Sequence, residues 1–159
     1  MTRLRQIALQ WAALGAVVIT AGLAAPVQAQ DRVNGEVLII LASDLPGVMD
    51  SRLRDVPALR RAPFDGYRSM QLLESPRIAL AIDEPREVPL PNGRRIRLVL
   101  REITDTGRYR LNVSINRPGQ QDYLPEMSVV ASPGDPFFVA GQSFQVGTLV
   151  IGVRLNPRS

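Results

Sequence analysis

Side chains able to do acid, base or nucleophilic chemistry are few in this sequence. It contains no histidine, cysteine or lysine, which rules out Ser-His-Asp triads, Cys-His pairs, Ser-Lys dyads, Schiff bases and imidazole or thiolate metal sites built from this chain alone. Carboxylates, Tyr, Ser, Thr and Arg remain. Asp83, Glu84 and Glu87 form the densest acidic group. They lie around Pro85 between strand-like segments and read as a solvated loop. No run of Asp and Asn resembles a calcium loop. No cofactor or metal is expected, and the chain reads as a protein that is not an enzyme.

One short motif offers an alternative. Asp105-Thr106-Gly107 is the tripeptide of aspartic proteases, where two such aspartates share a proton because adjacent carboxylates cannot both ionise. A single copy would require a homodimer. Leu149-Val150-Ile151-Gly152 loosely resembles the later apolar-apolar-Gly element of those enzymes, but Arg108-Tyr109-Arg110 follows the tripeptide where they carry a small residue. Asp and Gly also flank hairpin turns routinely, so the turn is the preferred reading and a carboxylate-based hydrolase the alternative.

Arginine is the other chemically active type, and all 19 basic residues are arginine. Five of them fall on one predicted surface. With Thr104 to Gly107 as a four-residue loop, Ile103 faces Arg108, Leu100 meets Leu111, Leu98 meets Val113 and Ile96 meets Ile115. That register keeps one face apolar. The opposite face then carries Arg95, Arg97, Arg101, Arg108 and Arg110, with Arg101 directly opposite Arg110. Such a like-charge pair costs stability unless an anion neutralises it. A neighbouring Glu or Asp, or solvent, is the plain solution. An acidic protein or envelope polyanion is the functional one, since guanidinium makes two-pronged contacts with carboxylate and phosphate. The preceding Asn92-Gly93 turn leaves two arrangements open: a two-residue loop sets Val88 beside Arg97 and Leu90 beside Arg95, whereas a bulged turn sends both into the core. Nucleic acid is not an expected partner, because few aromatics interleave the arginines.

The elements that position these residues follow a leader. Residues 1–29 show a basic start at Arg3 and Arg5, an apolar run from Ile7 to Ala25, and Val27 and Ala29 suited to cleavage before Gln30. This predicts an exported, periplasmic or secreted protein with no membrane span once the leader is removed. No cysteine follows the cleavage site, so a lipid anchor is not predicted. Loss of Arg3 and Arg5 lowers the formal charge from +4 to +2, too little for general attraction to polyanions. Any such function has to come from local clustering.

Residues 30–159 have the length of one domain. Val37 to Ala42 is a continuous apolar run, as in a central strand buried on both faces. Asp50 or Ser51 caps a predicted short helix with Leu53, Val56 and Leu59 on one side, limited by Pro57 and ending near Arg61. Beyond Gly66 the apolar period becomes two, through Arg77 to Asp83, Arg95 to Ile103 and Arg108 to Arg117. Ser128 to Ala131, Phe137 to Ala140, Phe144 to Val146 and Thr148 to Leu155 add further strands, separated by Pro, Asn, Asp and Gly turns. The prediction is a mostly β domain, an antiparallel sandwich or barrel-like fold of about seven to nine short strands with one short helix. Aromatics make up only 5% of residues, which argues against an outer-membrane barrel with its aromatic girdles.

The order of these features resembles a group of small exported proteins of Gram-negative bacteria. The features are a first strand ending in Ala42-Ser43, a short helix from Asp50, Pro63-Phe64 leading to Tyr67, Leu90-Pro91-Asn92-Gly93, a Gly141 turn and a final Leu149-Val150-Ile151 strand. The resemblance implies export and a β fold and brings no activity with it. The expected function is therefore a non-catalytic interaction or structural module of the cell envelope.

Overall fold

The computed structural model describes residues 32–158, so the leader and its cleavage site lie outside the described residues. The apolar run does form the centre of the fold. It belongs to β1 (Arg32–Ser43), which pairs on one side with β2 (Ser69–Glu74) and β3 (Arg77–Ala81) and on the other with β9 (Gly147–Leu155). β8 (Phe137–Phe144) closes this first sheet beside β9. The second sheet runs β4 (Pro85–Pro89), β5 (Arg95–Ile103), β6 (Tyr109–Ile115), β7 (Met127–Ala131). Both sheets are antiparallel and neither closes into a barrel. No helix among the described residues is long and apolar enough to cross a membrane.

Alternation along the strands builds the core between the sheets. Val33, Val37 and Ile39 of β1 and Leu149, Ile151 and Val153 of β9 meet Ile96, Leu98 and Leu100 of β5 and Leu111 and Val113 of β6, all fully buried. Each such side chain contributes roughly 1.5–3 kcal/mol of transfer free energy. The intervening residues of β1 are apolar too, because the outer face of the first sheet is covered. Leu38, Ile40, Met70, Leu72 and Val150 pack under Leu53, Val56, Leu59 and Phe64 of the segment that follows β1.

That segment corrects the predicted helix. It makes two 3₁₀ turns, Ser51–Leu53 and Pro57–Arg60, because Pro57 has no N–H to continue a helical ladder. Asp50 caps the first turn as predicted, accepting the Arg52 N–H at 3.0 Å. The Arg52 guanidinium bonds the same carboxylate and holds it well below the usual carboxylate range. Three further differences concern strands. β2 has no counterpart among the predicted elements, β4 occupies part of the predicted acidic loop, and Phe137–Phe144 is one strand with a bulge at Gly141 where two were expected.

The central hairpin keeps its predicted pairs Ile96 with Ile115, Leu98 with Val113 and Leu100 with Leu111, but reaches them differently. Thr104 N–H donates to Arg108 O and Gly107 N–H to Thr104 O, both at 2.8 Å, so the loop proper is Asp105 to Gly107 with Gly107 at φ 74°. Ile103 therefore faces Tyr109, and Arg110 faces Glu102. Arg101 is the extra residue of a β-bulge. The predicted pairings of Ile103 with Arg108 and of Arg101 with Arg110 do not occur. The cause is visible in the spacing: Leu100 and Ile103 both pack in the core three positions apart, which a strict period of two forbids and one bulge permits. The Asn92-Gly93 turn is bulged as well, with Leu90 N–H donating to Arg94 O at 2.8 Å, and Val88 and Leu90 are buried.

Candidate functional site

The outer face of the second sheet is where the five arginines meet. Arg95 and Arg97 project from β5, Arg101 from its bulge, Arg110 from β6 and Arg108 from the hairpin base. Because the β4–β5 turn is bulged, Glu87 of β4 stands directly opposite Arg97. Its Oε1 accepts from Arg97 Nε at 3.2 Å and Nη2 at 2.9 Å. Its Oε2 stands 3.5 Å from Arg95 Nε, an ion-pair distance without hydrogen-bond geometry, so this buried nitrogen has no hydrogen-bond partner. Arg95 Nη2 donates to Gln121 instead.

Tyr123 completes this half of the face. The Arg97 guanidinium lies 3.7 Å above the centre of its ring, in cation–π contact. Arg97 is thus held between a carboxylate and an aromatic ring. The hydrogen bonds from Arg97 pull the Glu87 carboxyl below its ordinary value, and the same bonds raise the arginine further. Burial, helped by the nearby Glu87 charge, pushes the Tyr123 phenol up. Its hydroxyl is buried and has no hydrogen-bond partner among the described residues.

Across the face, Arg101 Nη1 donates to Asp83 Oδ1 at 2.9 Å, and its Nη2 stands 3.9 Å from Glu126 Oε2. Asn112 Nδ2 donates to the same Glu126 oxygen at 2.7 Å. Arg110 pairs with Glu102 at 3.4 Å. Arg108 is exposed and has no carboxylate partner among the described residues. Beneath these side chains Val99 and Ser114 are buried, although both sit on the solvent side of the sheet. Ser114 pairs with Arg97 across the strands, and Val99 pairs with Asn112 two positions along β5 from Arg97.

The arginines therefore share one face as the alternation implied, but the face is neither bare nor repulsive. Glu87 and Asp83, read from sequence as a solvated acidic loop, are ion-pair partners of that face. Glu84 lines a shallow cleft with Arg32 and Arg86. Asp105 lies exposed at the hairpin tip, next to a 3.0 Å contact between the Thr104 and Thr106 hydroxyls. Sequence reasoning missed Glu102, Gln121, Tyr123 and Glu126. The adjacency of Arg101 and Glu102 was a usable signal; Tyr123 gave none, since it precedes β7 in an irregular segment. No protein-family model, no curated protein and no solved structure matches this chain.

Proposed function

We propose that this chain is a non-catalytic interaction module of the bacterial cell envelope, exported by its leader and related to the small exported proteins it resembles, and that its arginine face docks an acidic protein or envelope polyanion. One observation carries the docking: a row of guanidinium groups is held half-exposed on one sheet face by a few carboxylates that leave many of their N–H donors unused. A guanidinium has five N–H donors, and one carboxylate uses only one or two. Asp83, Glu102 and Glu126 are themselves exposed, so an incoming carboxylate or phosphate displaces pairs worth little.

The test is a titration with poly-L-glutamate at low salt. The wild type is expected to bind and to be released by added salt, and Arg101→Glu combined with Arg110→Glu should weaken binding tenfold or more, with an unchanged circular dichroism spectrum. Absence of wild-type binding, or equal binding by the variant, overturns the docking. Export is tested separately by N-terminal sequencing, with a start at Gln30 expected and an intact Met1 start overturning it.

A further inference from the structure

Sheet edges expose unpaired main-chain groups, and among the described residues this fold guards the outer edges of β4, β2 and β8. Leu90 N–H points into the sheet at Arg94 O, so by alternation the outward-facing main chain of β4 belongs to Pro85, Glu87 and Pro89. Two of those three have no N–H to offer. The β2 edge is taken by the preceding loop: Met70 N–H donates to Val48 O, Asp50 N–H to Met70 O, and Arg52 Nη2 to Leu72 O. β8 is interrupted by its Gly141 bulge.

β7 has none of these devices. Leu124 N–H donates to Ile115 O at 2.9 Å, so alternate β6 residues Val113, Leu111 and Tyr109 bond Met127, Val129 and Ala131. The main chains of Ser128 and Val130 then face outward, and among the described residues β7 pairs with no strand other than β6. Apolar side chains are exposed on and beside the same edge, with Leu124 41%, Met127 47% and Val130 52% exposed. An open, apolar edge is a template for another strand.

We propose that a second copy of this chain occupies that edge, joining β7 to β7 antiparallel about a two-fold axis through Val129. This register is the one in which Ser128 and Val130 of each copy exchange both main-chain bonds with Val130 and Ser128 of the other, leaving none of the four residues unpaired. Charge agrees with it. Continued one step beyond the Tyr109–Ala131 pair, the β6–β7 register sets Arg108 level with Ser132, which in the dimer lies opposite Glu126 of the second copy, two strand spacings or ~10 Å from Arg108 between Cα atoms, within reach of two long side chains. Among the described residues, Arg108 is the arginine of the face with no carboxylate of its own. Glu126 makes both of its contacts through Oε2, so its Oε1 is available. The contact repeats on both sides of the axis. The inference rests on strand pairing and is independent of docking to an acidic partner.

Sedimentation of the purified protein tests it without any polyanion present. The interface is small, so a concentration-dependent shift from one chain mass to two is expected, on the order of 10–100 µM. Val130→Lys, an edge-guarding change, should leave a folded monomer over that range, and Val130→Pro should do the same if it folds. Arg108→Glu should weaken association about tenfold, and adding Glu126→Arg to it should restore association. A wild type that stays monomeric throughout overturns the proposal, as it would if the edge serves a strand from another protein. A dimer unaffected by Val130→Lys overturns it equally.

Discussion

The two sheets present outer faces that solve the same problem in opposite ways. A sheet packed on one side still has a second side to shield. The first sheet makes that side apolar with Leu38, Ile40, Met70, Leu72 and Val150 and covers it with a separate stretch of chain. The Phe64 and Phe138 rings meet edge-on at 5.2 Å in that cover. The second sheet has a charged outer side: arginines pair with carboxylates of its own strands and connecting loops and with the Tyr123 ring, and Val99 and Ser114 on that side are buried. The first solution is held by area removed from water and is not screened by salt. The second is held by exposed ion pairs, which contribute little individually and are screened by salt, but it leaves charged donors at the surface. A sealed face gives stability; a self-paired charged face keeps guanidinium groups at the surface.

The contrast breaks most visibly on the sealed side. Leu59→Ala removes a fully buried anchor of the cover and should cost about 3 kcal/mol in urea unfolding, equally at low and high salt. A loss below about 1 kcal/mol would mean that the cover is only loosely seated.

Charge on the other face predicts a smaller, pH-dependent effect. Glu87 is held below its ordinary value of 4.5 chiefly by Arg97, so its extra stabilisation is fully present above that value and is lost as pH falls through the folded one. Glu87→Gln should therefore be less stable than wild type by about 0.5 kcal/mol at neutral pH and low salt, an amount already reduced for its solvent exposure. Unfolding curves of the two proteins should converge as the solution is acidified below 4.5 and as salt is added. A gap that stays constant with pH would show that Glu87 acts through packing instead. Other carboxylates add to the acid sensitivity of the wild type: Asp50 through Arg52, and Glu36 through Arg154 and Ser75 against the opposing effect of burial.

The smallest expected change is Tyr123→Phe. It keeps the ring under Arg97 and removes a hydroxyl that has no hydrogen bond, so stability should hold or rise by a few tenths of a kcal/mol. A clear loss on thermal melting would show that the phenol makes a bond to Glu87 in solution.

Much of the fold was legible because β alternation writes itself into residue order. The run Val37 to Ala42 declared a strand buried on both faces, and Ile96, Leu98 and Leu100 declared their partners across the hairpin. β2 and β4 were not legible. Ser69–Glu74 breaks its alternation where the register with β1 shifts, and β4 carries two prolines, which argue against a strand until it is seen at an edge. The arginine face was half legible: alternation placed the arginines together, whereas their carboxylate partners come from other strands and loops.

Residue types and their period, taken alone, determined that this chain is β-rich, which side of each long strand is apolar, and which catalytic chemistries it cannot contain. Tertiary structure alone decided that Arg101 bulges out, that Glu87 rises between Arg95 and Arg97, and that Tyr123 lies against Arg97. The physical reason is that a bulge or an αL glycine shifts strand phase by one residue at little local cost. Which phase is adopted depends on whether Ile103, Val88 and Leu90 find the core, and the core exists only once both sheets are in place.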